Sequence, residues 1–241
     1  MKIKNHILIW ILKSRRALFN RLKGISHLDI GTDNEFLDIH AEMLSEDRAI
    51  QTLRERYNIY HFMKVASGLE GAVAEVGVYR GGSAKLLCKL KGNSPIYLFD
   101  TFEGLPSFVT GAEGVLSSGN FNDTSMEDVS AYLSSFENVY IYKGYFPDSA
   151  IGTPAEHMRF RFVHLDVDIY ESTLKALDFF YPRMVDSGII ISHDYRTFFA
   201  PGVRKAFDHF FAHKKETVIP LWDTQCVVIK NIVNQGAAAG S

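Results

Sequence analysis

Only two cysteines, Cys88 and Cys226, occur in 241 residues. That excludes a disulfide-built scaffold and any metal site of the paired-cysteine kind, and buried free thiols in a reducing cytoplasm are expected. Strong charge of one sign is missing as well. The net charge of −2 argues against a general nucleic-acid binder. The dinucleotide fingerprint G-x-G-x-x-G is absent. No internal repeat stands out. The apolar run at residues 7–12 is too short for a signal peptide and far too short to span a bilayer.

What is present suits one large α/β domain with a small appendage. Hydrophobic residues make up 46% of the chain, and 18 Phe with 11 Tyr favour a lined pocket. The charge is unevenly placed. Residues 1–25 hold Lys2, Lys4, Lys13, Arg15, Arg16, Arg21 and Lys23 and no acid, so the other 19 basic residues face all 28 acids. Ile7, Ile11, Leu18, Leu22 and Ile25 fall on one face of this basic arm at helical spacing. The preferred reading is a helix that buries this face on its own domain or on a second subunit, giving a homo-oligomer. The alternative is a membrane-surface helix with Trp10 at the interface.

The chain is organised around residues 74–83, Ala-Glu-Val-Gly-Val-Tyr-Arg-Gly-Gly-Ser. Val73, Val76 and Val78 suit a strand, Gly77 a tight turn, and Gly81-Gly82 a close approach of ligand to backbone. Ser83 is expected to cap the following helix. A helix start attracts a carboxylate or phosphate. Glu75 would repel a pyrophosphate but could hold an ammonium. A ligand carrying both an ammonium and a carboxylate fits best, and S-adenosylmethionine is one. Glu75, Gly77, Tyr79, Gly81 and Ser83 are the cofactor candidates here.

Around that turn, residues 31–39 read as polar loop and 46–69 as one long helix with Ile50, Leu53, Tyr57, Tyr60 and Met63 on its apolar face. Arg48, Arg54, Arg56 and His61 read as solvated or paired. Residues 84–90 continue the helix after the turn. Residues 95–100 form a second strand ending in Asp100, placed to accept hydrogen bonds from a ribose diol. Residues 101–124, rich in glycine and poor in periodicity, read as a lid that begins beside this site, with Thr101 and Gly104 against the cofactor. A helix at 125–136 capped by Ser125 and strands at 138–143, 161–165 and 188–192 follow. Helices at 171–180 and 201–212 and a terminal antiparallel pair, 217–220 with 225–230, complete the pattern. This is a mostly parallel, doubly wound sheet with a C-terminal antiparallel hairpin. The expected division is a basic arm and linker at 1–44, one domain at 45–230 and a flexible low-complexity tail at 231–241.

Asp166, Asp168, His193 and Asp194 lie at the ends of two expected strands. If those strands are neighbours, all four converge on one rim, and such oxygen-rich groups suit Mg²⁺ or Mn²⁺. The plainer alternative is that Asp166 and Asp168 cap the next helix.

Five ordered blocks resemble the macrocin-type (TylF-like) sugar O-methyltransferases. They are residues 75–82 (EVGVYRGG), 99–106 (FDTFEGLP), 143–148 (KGYFPD), 164–173 (HLDVDIYEST) and 202–208 (GVRKAFD). The resemblance implies a class I Rossmann-like fold, S-adenosylmethionine as methyl donor and a divalent cation, usually Mg²⁺. It makes Asp166 a metal ligand and Asp168 the general base. In that family an Asp-Asp pair follows the next strand. Here the pair is His193-Asp194, so one ligand differs; an imidazole ligand tilts preference toward Mn²⁺, Fe²⁺ or Zn²⁺, and the alternatives are that His193 acts as a base or points away. The implied activity is O-methylation of a sugar on a natural product or polysaccharide. The competing readings are an NAD-dependent sugar dehydrogenase or epimerase and a non-catalytic module that keeps a methyltransferase-like body.

Overall fold

The computed structural model describes residues 33–106 and 116–231. The basic arm, the middle of the expected lid and nearly all of the tail lie outside the described residues, and with them the oligomer and membrane readings of residues 1–25. No helix among the described residues is long and apolar enough to cross a membrane.

Helices α1 (Asn34–Glu46) and α2 (Leu53–Val65) precede strand β1 (Ala72–Val76). The chain then alternates through α3 (Gly82–Leu90), β2 (Ile96–Asp100), α4 (Met126–Tyr132), β3 (Val139–Lys143), β4 (Phe160–Leu165), α5 (Tyr170–Phe180), β5 (Met184–Ser192) and α6 (Pro201–Phe211). Strands β6 (Ile219–Pro220) and β7 (Cys226–Ile229) close it. The strand order is β3-β2-β1-β4-β5-β7-β6. The first five strands are parallel, and β7 lies antiparallel to both β5 and β6. The doubly wound sheet and its terminal hairpin are therefore as expected.

Alternation along each strand sends side chains into two cores. Val73, Leu98, Phe162 and Ile191 pack with helices α1 to α4, whereas Ala74, Phe99, Leu165 and Ile190 pack with α5 and α6. Both thiols are buried. Burial pushes Cys88 up to about 12 and Cys226 well above the usual thiol range, which makes both inert.

Two local expectations are corrected. Residues 31–39 are not loop throughout. Asp33 accepts from the main chain of Phe36 at 3.0 Å and starts α1, which buries Phe36, Leu37, Ile39, His40, Ala41 and Met43. Residues 46–69 are not one helix. Asp47, at φ 53° and ψ 41°, ends α1 in the left-handed conformation. Thr52 and Glu55 then form a reciprocal capping box that starts α2 afresh. Between them a short strap, residues 47–52, crosses to the strand ends. Arg56 holds it down, donating to the Ala49 carbonyl at 2.8 Å.

Candidate active site

The parallel register makes the site. Val76 pairs with Phe99 on one side and Leu165 on the other, and Leu165 pairs with Ser192. Each strand's next residue falls in the same row: Asp100, Gly77, Asp166 and His193. Main-chain bonds extend the ladder through it, Gly77 N to Phe99 O at 2.9 Å, Asp166 N to Val76 O at 2.9 Å and His193 N to Leu165 O at 2.8 Å. The row lies at the carboxyl ends of the strands, where the crossover direction reverses beside β1.

Gly77 is dictated by this row. Its φ is +86°, and a Cβ there would stand 1.8 Å from the Asp166 carbonyl oxygen. Gly81, at φ +81°, caps α3, so Ser83 sits inside the helix instead of capping it as expected. The first helical bond is Lys85 N to Gly81 O, which leaves the N–H groups of the first turn free for a ligand.

Asp100 closes the turn. Its Oδ2 accepts from Val78 N at 2.7 Å and Tyr79 N at 2.8 Å, and its Oδ1 from Phe102 N at 2.7 Å. A carboxylate has about four acceptor positions, so room remains for one further hydrogen bond rather than a diol's two. Beyond the turn the Tyr79 hydroxyl donates to Asp123 at 2.7 Å, Arg80 pairs with Asp123, and Thr124 donates to the Tyr79 carbonyl at 2.6 Å. Thr101 donates to the Gly104 carbonyl at 2.9 Å.

A cavity of about 430 Å³ runs from this turn to the acid cluster, within the usual range for a small-molecule site. Gly77, Tyr79, Ser83, Asp100, Thr101 and Gly104 line it, and so do Asp166, Asp168, His193 and Asp194. Two cofactor candidates do not. Gly81 is spent on the helix cap. Glu75 is fully buried beneath the turn, its Oε1 2.7 Å from His164 Nδ1. It is the next-to-last residue of β1 and projects toward Ser83 of α3.

At the far end the four cluster residues meet. His193 Nδ1 lies 3.1 Å from Asp194 Oδ2 and 3.4 Å from Asp166 Oδ1. Its Nε2 lies 3.2 Å from Glu55 Oε2. Ligand atoms of Asp166, His193 and Asp194 all fall within 4.8 Å of one another, so these three could hold a cation. Neither Asp166 nor Asp168 caps α5, whose first turn has no side-chain cap. Asp168 and Asp194 adopt φ 63° and 61°, and Tyr79 φ 51°. Left-handed residues other than glycine are uncommon and cluster at functional sites.

Burial, then the charges of Asp166 and Asp194, raises Asp168 well above the usual carboxylate range. Burial also raises Asp166, against the pull of His193. Burial opposes a charged His193, yet Asp166, Asp194 and Glu55 together raise it well above the ordinary histidine value. Asp194 is lowered, because hydrogen bonding and charge from His193 outweigh its burial.

Sequence reasoning missed two contributors. Gln51 donates from Nε2 to Asp166 Oδ2 at 3.0 Å, and Glu55 faces His193. Both come from the strap and the start of α2. The T-x-x-E capping signature at residues 52–55 was the available signal for that helix start.

A family model, TylF macrocin-O-methyltransferase, matches residues 41–230. The chain belongs to the TylF macrocin-O-methyltransferase family. Among curated relatives of this TylF-family chain is the 8-demethyl-8-(2,3-dimethoxy-alpha-L-rhamnosyl)-tetracenomycin-C 4'-O-methyltransferase of Streptomyces olivaceus. It is 29% identical over 146 residues, 54% of this chain and 55% of that protein. The demethyldecarbamoylnovobiocin O-methyltransferase of Streptomyces niveus is 24% identical over 61% of each chain. The matches thus span under two thirds of either relative's length. Among solved structures, the O-methyltransferase NovP superposes with a TM-score of 0.68 at 20% identity, covering 77% of this chain and 83% of that one. The calicheamicin methyltransferase CalS11 gives 0.64 at 16%, covering 90% and 91%. The fold of the TylF-family chain is that of the class I Rossmann-like O-methyltransferases.

Proposed function

We propose that this TylF-family chain transfers a methyl group from S-adenosylmethionine to a sugar hydroxyl of a glycosylated natural product or polysaccharide, aided by a divalent cation. The observation that carries the reading is the continuity of the cavity. One end is a glycine turn and free helix start suited to an amino-acid moiety, and the other is a carboxylate–imidazole cluster.

The residues present fit both absent groups. The free N–H groups at the start of α3 suit the donor's carboxylate, and Asp100 has one position left for a ribose hydroxyl. Two carboxylates and an imidazole nitrogen suit Mg²⁺ or Mn²⁺, and Gln51 Oε1 is buried beside them without a partner. When bound, the donor supplies an electrophilic methyl and the cation polarises the acceptor hydroxyl. Asp166, His193 and Asp194 would hold the cation. Asp168, raised by burial and then by the charges of Asp166 and Asp194, takes the hydroxyl proton as general base. Leu105, Pro106, Leu116 and Phe121 line the cavity over the turn and keep water from the reacting atoms. Holding acceptor and donor in line supplies much of the acceleration.

Calorimetric titration of the full chain with S-adenosylhomocysteine tests the donor site, and micromolar uptake is the expected order. Uptake of NAD⁺ in its place would overturn the reading. Methylation of glycoside acceptors should fall on adding a chelator and return with Mn²⁺ or Mg²⁺. Full turnover in chelator would remove the cation while leaving the donor.

A further inference from the structure

Two buried side chains outside the catalytic cluster reach it from the strap and the start of α2. Gln51, 8% exposed, donates to Asp166 Oδ2, and its own Oε1 has no partner. Glu55, 2% exposed, accepts from Thr52 N at 2.8 Å through Oε2 and from the Thr224 hydroxyl through Oε1. The same Oε2 lies 3.2 Å from His193 Nε2, a buried nitrogen that has no aligned hydrogen-bond partner. The two nitrogens of His193 therefore face different surroundings. Nε2 faces a single carboxylate fixed by a helix cap, and Nδ1 faces Asp166 and Asp194.

We propose that Glu55 is a positioning residue for the cation site. Its carboxylate is the group placed to take the otherwise unpartnered Nε2–H of His193 when Nδ1 ligates, and so it presents the Nδ1 lone pair to a divalent cation shared with Asp166 and Asp194. The proposal rests on the cation reading above. A neutral imidazole carries one N–H, and the group that accepts it decides which nitrogen is left to ligate. A carboxylate at Nε2 also makes Nδ1 the more basic nitrogen. Gln51 does the parallel work on Asp166. By donating to Oδ2 it leaves Oδ1, the oxygen nearer His193, as the ligand atom.

The need arises because position 193 carries an imidazole. A carboxylate ligand there would have no tautomer to fix. An imidazole does, and Glu55 is the acid within reach of its outer nitrogen. Capping alone does not require an acid, because glutamine serves equally at the third position of a capping box. Glu55→Gln therefore keeps the helix start and removes the charge.

The test is Mn²⁺ titrated into the full chain at neutral pH without methyl donor. Glu55→Gln should bind Mn²⁺ roughly 10- to 100-fold more weakly than the natural chain. Thr52→Ala removes the hydroxyl half of the cap but keeps the main-chain N–H that Glu55 Oε2 accepts, so it should lower the thermal midpoint yet keep Mn²⁺ affinity within about twofold. Pulsed electron paramagnetic resonance of bound Mn²⁺ should show coupling to a ligand nitrogen that His193→Ala abolishes. Equal affinity in Glu55→Gln, or no nitrogen coupling in the natural chain, overturns the proposal. S-adenosylhomocysteine binding on the same samples separates the failures. A natural chain that takes up this ligand but no Mn²⁺ loses the cation reading and this proposal with it. Mn²⁺ bound equally by both chains removes only the role of Glu55.

Discussion

Asp100 and Tyr79 are joined by a 2.8 Å hydrogen bond from the Tyr79 main chain to Asp100 Oδ2. The tip of β2 thereby holds the turn that follows β1. Asparagine at 100 keeps one acceptor oxygen and sets an NH₂ group against backbone donors. Asp100→Asn should cost about 2 kcal/mol of stability and weaken S-adenosylhomocysteine binding, both read by thermal unfolding with and without that ligand. A variant unchanged in both would show that the turn holds itself.

Gly77→Ala should be far more severe. The new Cβ meets the Asp166 carbonyl at 1.8 Å, and φ is +86°, so either the backbone of β1 or that of β4 must move. A loss of at least about 4 kcal/mol is expected, at the extreme of single substitutions. Chemical denaturation measures it, and a variant with the natural midpoint would contradict the row of strand tips described above.

Asp168→Asn should retain S-adenosylhomocysteine affinity while turnover drops by roughly 10²- to 10⁴-fold, the usual contribution of a general base. Single-turnover methyl transfer is the readout. Unchanged transfer would move the base elsewhere.

His40 gives a pH dependence remote from the cavity. Burial, and then the charge of Arg56 with its Nη1 3.3 Å from the His40 ring, lowers His40 to about 4 from 6.5. Between these values the unfolded chain binds the proton and the folded chain does not, so stability rises with pH through the window and falls on acidification. The full effect is about 3 kcal/mol. Urea midpoints from pH 7 down to 4 should decline less steeply in His40→Gln. Parallel curves for the two proteins would exclude this contribution.

Much of this is legible in the sequence because the strands announce themselves. Residues 72–76, 96–100 and 189–192 are largely apolar runs closed by turn residues, and their ends carry Gly77, Asp100 and His193. Parallel register then converts strand ends into one rim, so the cluster of Asp166, Asp168, His193 and Asp194 follows once β4 and β5 are neighbours. The strap does not follow. Gln51 meets Asp166 across 115 positions, and no local pattern encodes such a contact. Glu75 misled for a related reason: its place two residues before Gly77 suggests the cavity, but strand alternation turns it toward α3 and His164. The start of α1 was hidden by the polar residues at 32–35, whose capping chemistry resembles that of a loop.

The left-handed backbone at Asp168 and Asp194 governs how the cluster should be dissected. Among residues with a Cβ, asparagine and aspartate visit that conformation most readily. Amide-for-acid exchanges at these two positions therefore change the side-chain chemistry while leaving the main chain at ease. Alanine scanning there would mix lost chemistry with a reluctant main chain, and a dead alanine variant would be uninterpretable without its asparagine counterpart.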